Sequence, residues 1–233
     1  MQKTLNEFYD NVDLVEVYPE SRDYLKNYWL DEEEYVSHWQ PIQDRIFDSN
    51  VGRLPARLFL PEFKLMSFLG GFTFVEEDLL LLQACMRELG EQYFVVIENC
   101  RVSCEVYESF KAEKKKFAGK PLNFKYPVDI KFEELATGDW LTEVIRGVWG
   151  SEEFYVFGES GLWGKYAAND YFAFPFNPPG GPLNILGFKE ACAALFREKF
   201  HRYMDEYGKQ ETLYALTSPS LHPAYKEYIA HLY

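Results

Sequence analysis

The chain has 233 residues, with 24 Lys or Arg against 37 Asp or Glu and a net charge of −13. That excess of acid disfavours sequence-independent binding to DNA or RNA, which needs a cationic face to displace counterions, and suits a basic partner instead. A hydrophobic fraction of 47% excludes wholesale disorder, and no apolar run approaches the roughly 20 residues that cross a bilayer, so no membrane partner is expected.

Leu5, Phe8, Tyr9 and Val12 recur at helical spacing and predict a first amphipathic helix. Its flank Met1–Glu7 has no apolar export core, which makes the cytoplasm the expected location. Pro19 interrupts, and Ser21 can cap a second helix carrying Tyr24, Leu25, Tyr28 and Trp29. Asp31 and Glu34 have the spacing of a capping box, with Glu32 and Glu33 in the first turn where the helix dipole favours acid. Tyr35, Val36 and Trp39 follow, Pro41 must kink or end that helix, and Ile42, Ile46 and Phe47 continue its pattern. Residues 1–50 thus form a helical N-terminal extension.

The next segment mixes strands and helix: Arg57–Leu60 and Phe72–Val75 are its short apolar runs, split by Pro61 and by Gly70-Gly71. Glu76, Glu77 and Asp78 open a strong helix with Leu79, Leu82, Met86 and Leu89 inward and Gly90 at its C-terminus. Tyr93–Ile97 is continuously apolar and rich in β-branched residues, as a buried strand is. Residues 101–131 are locally basic and read as a solvated helix face with Val106, Phe110 and Phe117 inward. Leu122–Ile130 reads as a strand, and Pro127, which cannot donate to a ladder, places it at a sheet edge.

Phe132–Gly147 is helical, broken near Gly138. Phe154–Phe157, the turn Gly158-Glu159-Ser160-Gly161 and the return Leu162–Phe174 predict a hairpin. Asn177–Pro182 is a loop. Phe188–Tyr203 reads as a helix with Phe188, Cys192, Leu195, Phe196, Phe200 and Tyr203 on its core stripe, and a last helix starts at Pro223. The expected architecture is a single α+β domain over residues 1–233, with an antiparallel or mixed sheet packed by helices.

No catalytic motif survives its own chemistry. Gly158-Glu159-Ser160-Gly161 is followed by Leu162 where a nucleophile elbow needs glycine, and then by a strand pattern where the elbow needs a helix. Gly158, Gly164 and Lys165 are one residue off a phosphate loop, and Tyr166 stands where Ser or Thr should hold magnesium. Cys100 and Cys104 have neither a second pair nor a nearby histidine, so no zinc is expected. Cys85 and Cys192 fall on apolar faces and read as buried free thiols. His38, His201, His222 and His231 have no metal-ligand spacing. No metal, cofactor or catalytic residue is assigned. The acid pairs Glu76-Glu77-Asp78, Glu133-Glu134 and Glu152-Glu153 read as helix-start or solvated charge. A small-molecule or carbohydrate-active enzyme using a carboxylate pair is the alternative class, favoured by the 18% aromatic content.

Residues 154–170, FYVFGESGLWGKYAAND, resemble the SUKH superfamily of bacterial immunity proteins: an apolar strand, a Gly-acid turn, then Gly and an aromatic on the returning strand. Pro19-Glu20 with Asp23-Tyr24-Leu25 is similar to that family's early helix, and Gly187-Phe188 to the start of its terminal helix; Lys165 stands where an acid is commoner. The resemblance implies an α+β fold with an antiparallel sheet, and a role in binding a toxin domain rather than in catalysis. The expected contact surface lies between the hairpin at 154–174 and the loop at 177–182, with acidic side chains at its rim and Glu159, Trp163, Tyr166 and Asp170 as partner-binding residues. The odd separation of Trp163 and Tyr166 puts them on opposite faces, so one is expected in the core and the other exposed.

Overall fold

The computed structural model describes residues 19–50, 58–69, 74–99, 123–138, 153–168 and 183–201. Several expectations lie outside them: the helix at 5–12, the basic stretch at 101–120, Cys100 and Cys104, the second helical piece after 138, Asp170, the loop at 177–182 and the last helix.

The fold is α+β around one antiparallel six-stranded sheet: β1 (Phe63–Leu69), β2 (Tyr93–Glu98), β3 (Asn123–Pro127), β4 (Glu153–Gly158), β5 (Trp163–Ala168) and β6 (Leu183–Lys189), in the order β1-β6-β5-β4-β2-β3. Helix α1 (Pro19–Tyr28) precedes the sheet, α2 (Glu76–Glu88) joins β1 to β2, and α3 (Ala193–Lys199) follows β6.

Both faces of this sheet are covered. On one face α2 and α3 lay Leu79, Leu82, Met86 and Phe196 on Phe94, Val96, Val156, Trp163, Leu186 and Phe188, with Tyr24 and Leu25 of α1 in the same cluster. On the other, Trp39, Ile42, Ile46, Phe47 and Phe59 cover Val95, Ile97, Tyr155, Phe157, Tyr166 and Ile185. The helical N-terminal segment therefore supplies side chains to both cores.

Local chemistry explains the elements. Asp31 accepts from the Glu34 N–H at 2.8 Å and starts the helical run over residues 32–43. That run widens into a π turn at Tyr35–Trp39, where the Gln40 N–H reaches the Tyr35 carbonyl. A wide turn passes Pro41 along without ending the helix, since proline has no N–H to give. Gly90, at φ 74°, closes α2 in the left-handed conformation that glycine tolerates best. β3 is an edge strand ending at Pro127, as expected, and its outer side is met by the Leu30 N–H on the Asn123 carbonyl at 2.9 Å. Gly164 and Gly187 face each other across β5 and β6. A Cβ on Gly187 would collide with the Phe59 ring, and one on Gly164 would lie 2.8 Å from Phe47 and Ile46. The glycine pair makes the trough in which these rings lie.

Three expectations are corrected. The first strand is Phe63–Leu69, between the two breakers that frame it, whereas Phe59 makes only an isolated bridge to Phe47 and Phe74-Val75 lead into α2. Phe188 is in β6, paired with Lys64 and Trp163; the helix begins after a 3-10 turn at Glu190–Cys192. Phe188 nonetheless stacks on Phe196 of α3 at 5.3 Å between ring centroids, which is why it fits a helical stripe. Trp163 and Tyr166 do lie on opposite faces, but both are 0% exposed, because the sheet is covered on both sides.

Candidate functional site

The hairpin chosen from sequence is anchored inward. At its turn, the Glu159 carboxylate accepts from the backbone N–H groups of Gln92 at 2.7 Å and Tyr93 at 3.0 Å. From the opposite side, buried Glu91 accepts from the Ser160 N–H at 3.0 Å and from the Trp163 indole N–H at 3.2 and 3.0 Å. Each turn thus caps the backbone of the other, and a Cβ on Gly158 would strike the Glu91 carboxylate. Burial pushes the Glu91 carboxyl above its ordinary range, partly offset by the bonds from Ser160 and Trp163 and reinforced by the Glu159 charge.

Strand β5 separates the residues expected to form one surface. Glu159 lies in the turn before β5, whereas β5 ends at Ala168, about 17 Å further along at about 3.3 Å per residue. Asp170 lies outside the described residues. Trp163 and Tyr166 belong to opposite cores, so among the four expected partner-binding residues Glu159 and Trp163 share a hydrogen-bonded cluster and Tyr166 does not join them.

Tyr166 belongs to a second cluster, at the far end of the sheet. Its hydroxyl donates to the Glu153 carboxylate and accepts from the Asn99 amide at 2.9 Å. The Asn99 N–H reaches the Glu153 carbonyl at 2.9 Å. Burial, then the Glu153 charge, hold the Tyr166 phenol well above its ordinary range. Glu98, Asn123 and Asn184 are also buried at this end. One row further in, on the α2 face, Lys165 Nζ lies 3.7 Å from Asp78 Oδ2 and 4.7 Å from the Phe74 ring centroid.

Sequence reasoning missed this end. Asp78 and Glu153 sit in acid groups that read as helix-start or solvated charge; Asp78 is indeed in the first turn of α2, yet both side chains are buried, at 1% and 7% exposure. Glu91, lone between Gly90 and a strand, gave no signal. The cluster does not assemble a carboxylate pair across a cleft: Glu98 and Glu153 project to opposite faces, with the sheet between them. Among the described residues, no group of three or more His, Cys, Asp and Glu side chains could hold a metal ion, and no helix is long and apolar enough to cross a membrane.

Exposed charge gathers elsewhere. Asp23, Asp31, Glu32, Glu33, Asp129, Glu133 and Glu134 are all exposed on segments flanking β3, where Lys26 and Lys131 are exposed too. Tyr28 ties the two segments together, its hydroxyl 3.3 Å from Glu134 and its ring 5.3 Å from that of Tyr126. Burial, then Glu134 and Asp129, raise the Tyr28 phenol. Behind this rim, Lys125 on β3 bonds Glu34 at 2.7 Å and lies over the Tyr93 ring.

Comparison with known proteins finds no matching family model, curated protein or solved structure.

Proposed function

We propose that the protein is a non-enzymatic binding module that captures a basic protein domain, working in the cytoplasm as an immunity protein of the SUKH type works on a toxin. The observation that carries this reading is the exposed acidic rim around β3, set on a chain of net charge −13. Complementary charge speeds encounter with a basic partner and suppresses wrong ones. The antiparallel α+β fold is the one that the resemblance implies. The hairpin stays in the reading only through Glu159, whose carboxylate already serves two backbone donors.

The test is capture of a toxin domain encoded beside this chain's gene, by calorimetry and by growth rescue on co-expression. Tight binding with rescue supports the reading. A neighbouring metabolic operon, with no toxin gene and no binding to basic nuclease domains at low salt, overturns it in favour of the enzyme class.

A further inference from the structure

Tyr93 is the one residue of β2 left open to solvent, at 41% exposure, and it is fixed in place. Its backbone N–H donates to Glu159 at 3.0 Å, and the Lys125 ammonium lies 4.8 Å from its ring centroid. Lys125 is in turn held by Glu34 at 2.7 Å. An exposed aromatic side chain held in this way offers a large contact area and has little freedom left to lose on binding.

A chain of contacts places this ring between the acidic segments that flank β3. On one side Glu34, which holds Lys125, gives its backbone N–H to Asp31, beside Glu32 and Glu33. On the other, the carbonyl of Gln92, next to Tyr93, accepts from the Val128 N–H at 2.9 Å, and exposed Asp129 follows. An aromatic side chain bordered by charge is the anatomy of a protein–protein contact, in which rim charges guide the approach and a central aromatic holds the complex.

We propose that Tyr93 anchors the partner contact: the acidic segments steer a basic protein domain, and that domain closes an apolar side chain over the open part of the Tyr93 ring. Lys125 is already engaged by Glu34, so it sets no unpaired cation against a basic partner. The proposal deepens the binding reading above and rests on it. The two separate in kinetics, because steering acts on the association rate and an anchor on the dissociation rate.

The test measures both rates with the toxin domain encoded beside this chain's gene. Tyr93→Ala should speed dissociation about tenfold or more, at low and at high salt, and leave association at low salt within about twofold of wild type. Tyr93→Phe keeps the ring and should dissociate as wild type does. Leu80→Ala removes a side chain that is 56% exposed on α2 and should change neither rate. Wild-type dissociation in Tyr93→Ala, or equal acceleration in Leu80→Ala, overturns the anchor. If removing charge at Glu32, Glu33, Glu133 and Glu134 slows association in that case, the binding reading stands without it. Failure of the wild-type protein to bind that domain overturns both. If Tyr93→Ala does not fold, the Tyr93 ring resonances of the wild-type protein decide: a shift on adding the domain supports the anchor, and unchanged resonances overturn it.

Discussion

Lys165 and Asp78 form an ion pair inside the protein: Nζ lies 3.7 Å from Oδ2, and the side chains are 0% and 2% exposed. Taking both charges out of water costs more than so long a contact returns, so the pair contributes little net stability while each partner depends on the other. Lys165→Met alone strands the Asp78 carboxylate, whose Oδ1 already lacks a hydrogen-bond partner among the described residues. That variant should lose about 3–5 kcal/mol in urea denaturation, while Asp78→Leu with Lys165→Met should recover most of the loss. Additive losses would show that the charges do not depend on each other.

The inward face of α2 gives a packing test. Leu82 is 1% exposed among Leu79, Cys85 and Met86. Leu82→Ala should cost about 2–5 kcal/mol through lost burial and the cavity left behind. Leu80, at 56% exposure on the same helix, should tolerate alanine within about 0.5 kcal/mol. Equal losses at the two positions would contradict the assignment of the helix face.

That helix was legible because one spacing accounts for Leu79, Leu82 and Met86, and the strand at 93–97 because β-branched residues leave few other choices, although Tyr93 at its start is exposed and only 94–97 are buried. Asp31 was legible as a cap because its chemistry is local. The rest depends on what lies opposite. An odd separation puts Trp163 and Tyr166 on two faces, but nothing in their spacing says that the 39–47 segment covers the second face. β6 was hidden because Phe188 stacks on Phe196 and so extends the helical stripe backwards into a strand. Glu91 and Glu153 could not be told from surface acids, since their partners Trp163 and Tyr166 lie 72 and 13 residues away.

The described thiols should be inert. Burial pushes the Cys85 thiol up to about 12 and also raises Cys192. Little thiolate forms at neutral pH, and access is closed. In a Cys100→Ala/Cys104→Ala background, a thiol reagent such as Ellman's should therefore label neither cysteine in the native protein and both after unfolding. Rapid native labelling would mean that the cluster under α2 and α3 opens readily.

Glu34 gives a pH dependence of the ordinary carboxylate sign. Burial alone would raise its carboxyl, but bonds from Lys125 and the Trp39 indole outweigh this and hold it below its usual range. A depressed folded value means stability that is present above the unfolded value and is lost as pH falls through the folded one. Glu34→Gln should lessen the loss of stability on acidification in thermal melts below about pH 5. An unchanged acid limb would remove the Lys125–Glu34 pair from the account.

The claim that the acidic rim captures a basic partner is tested most directly by association kinetics. Glu32→Gln/Glu33→Gln/Glu133→Gln/Glu134→Gln removes charge from side chains that are exposed in the fold. Stopped-flow association with the basic toxin domain should slow by about tenfold or more at low salt, and the difference should shrink near 1 M salt, where the screening length falls to about 3 Å. An association rate equal to wild type at low salt, in a variant with the wild-type circular dichroism spectrum, would contradict the account.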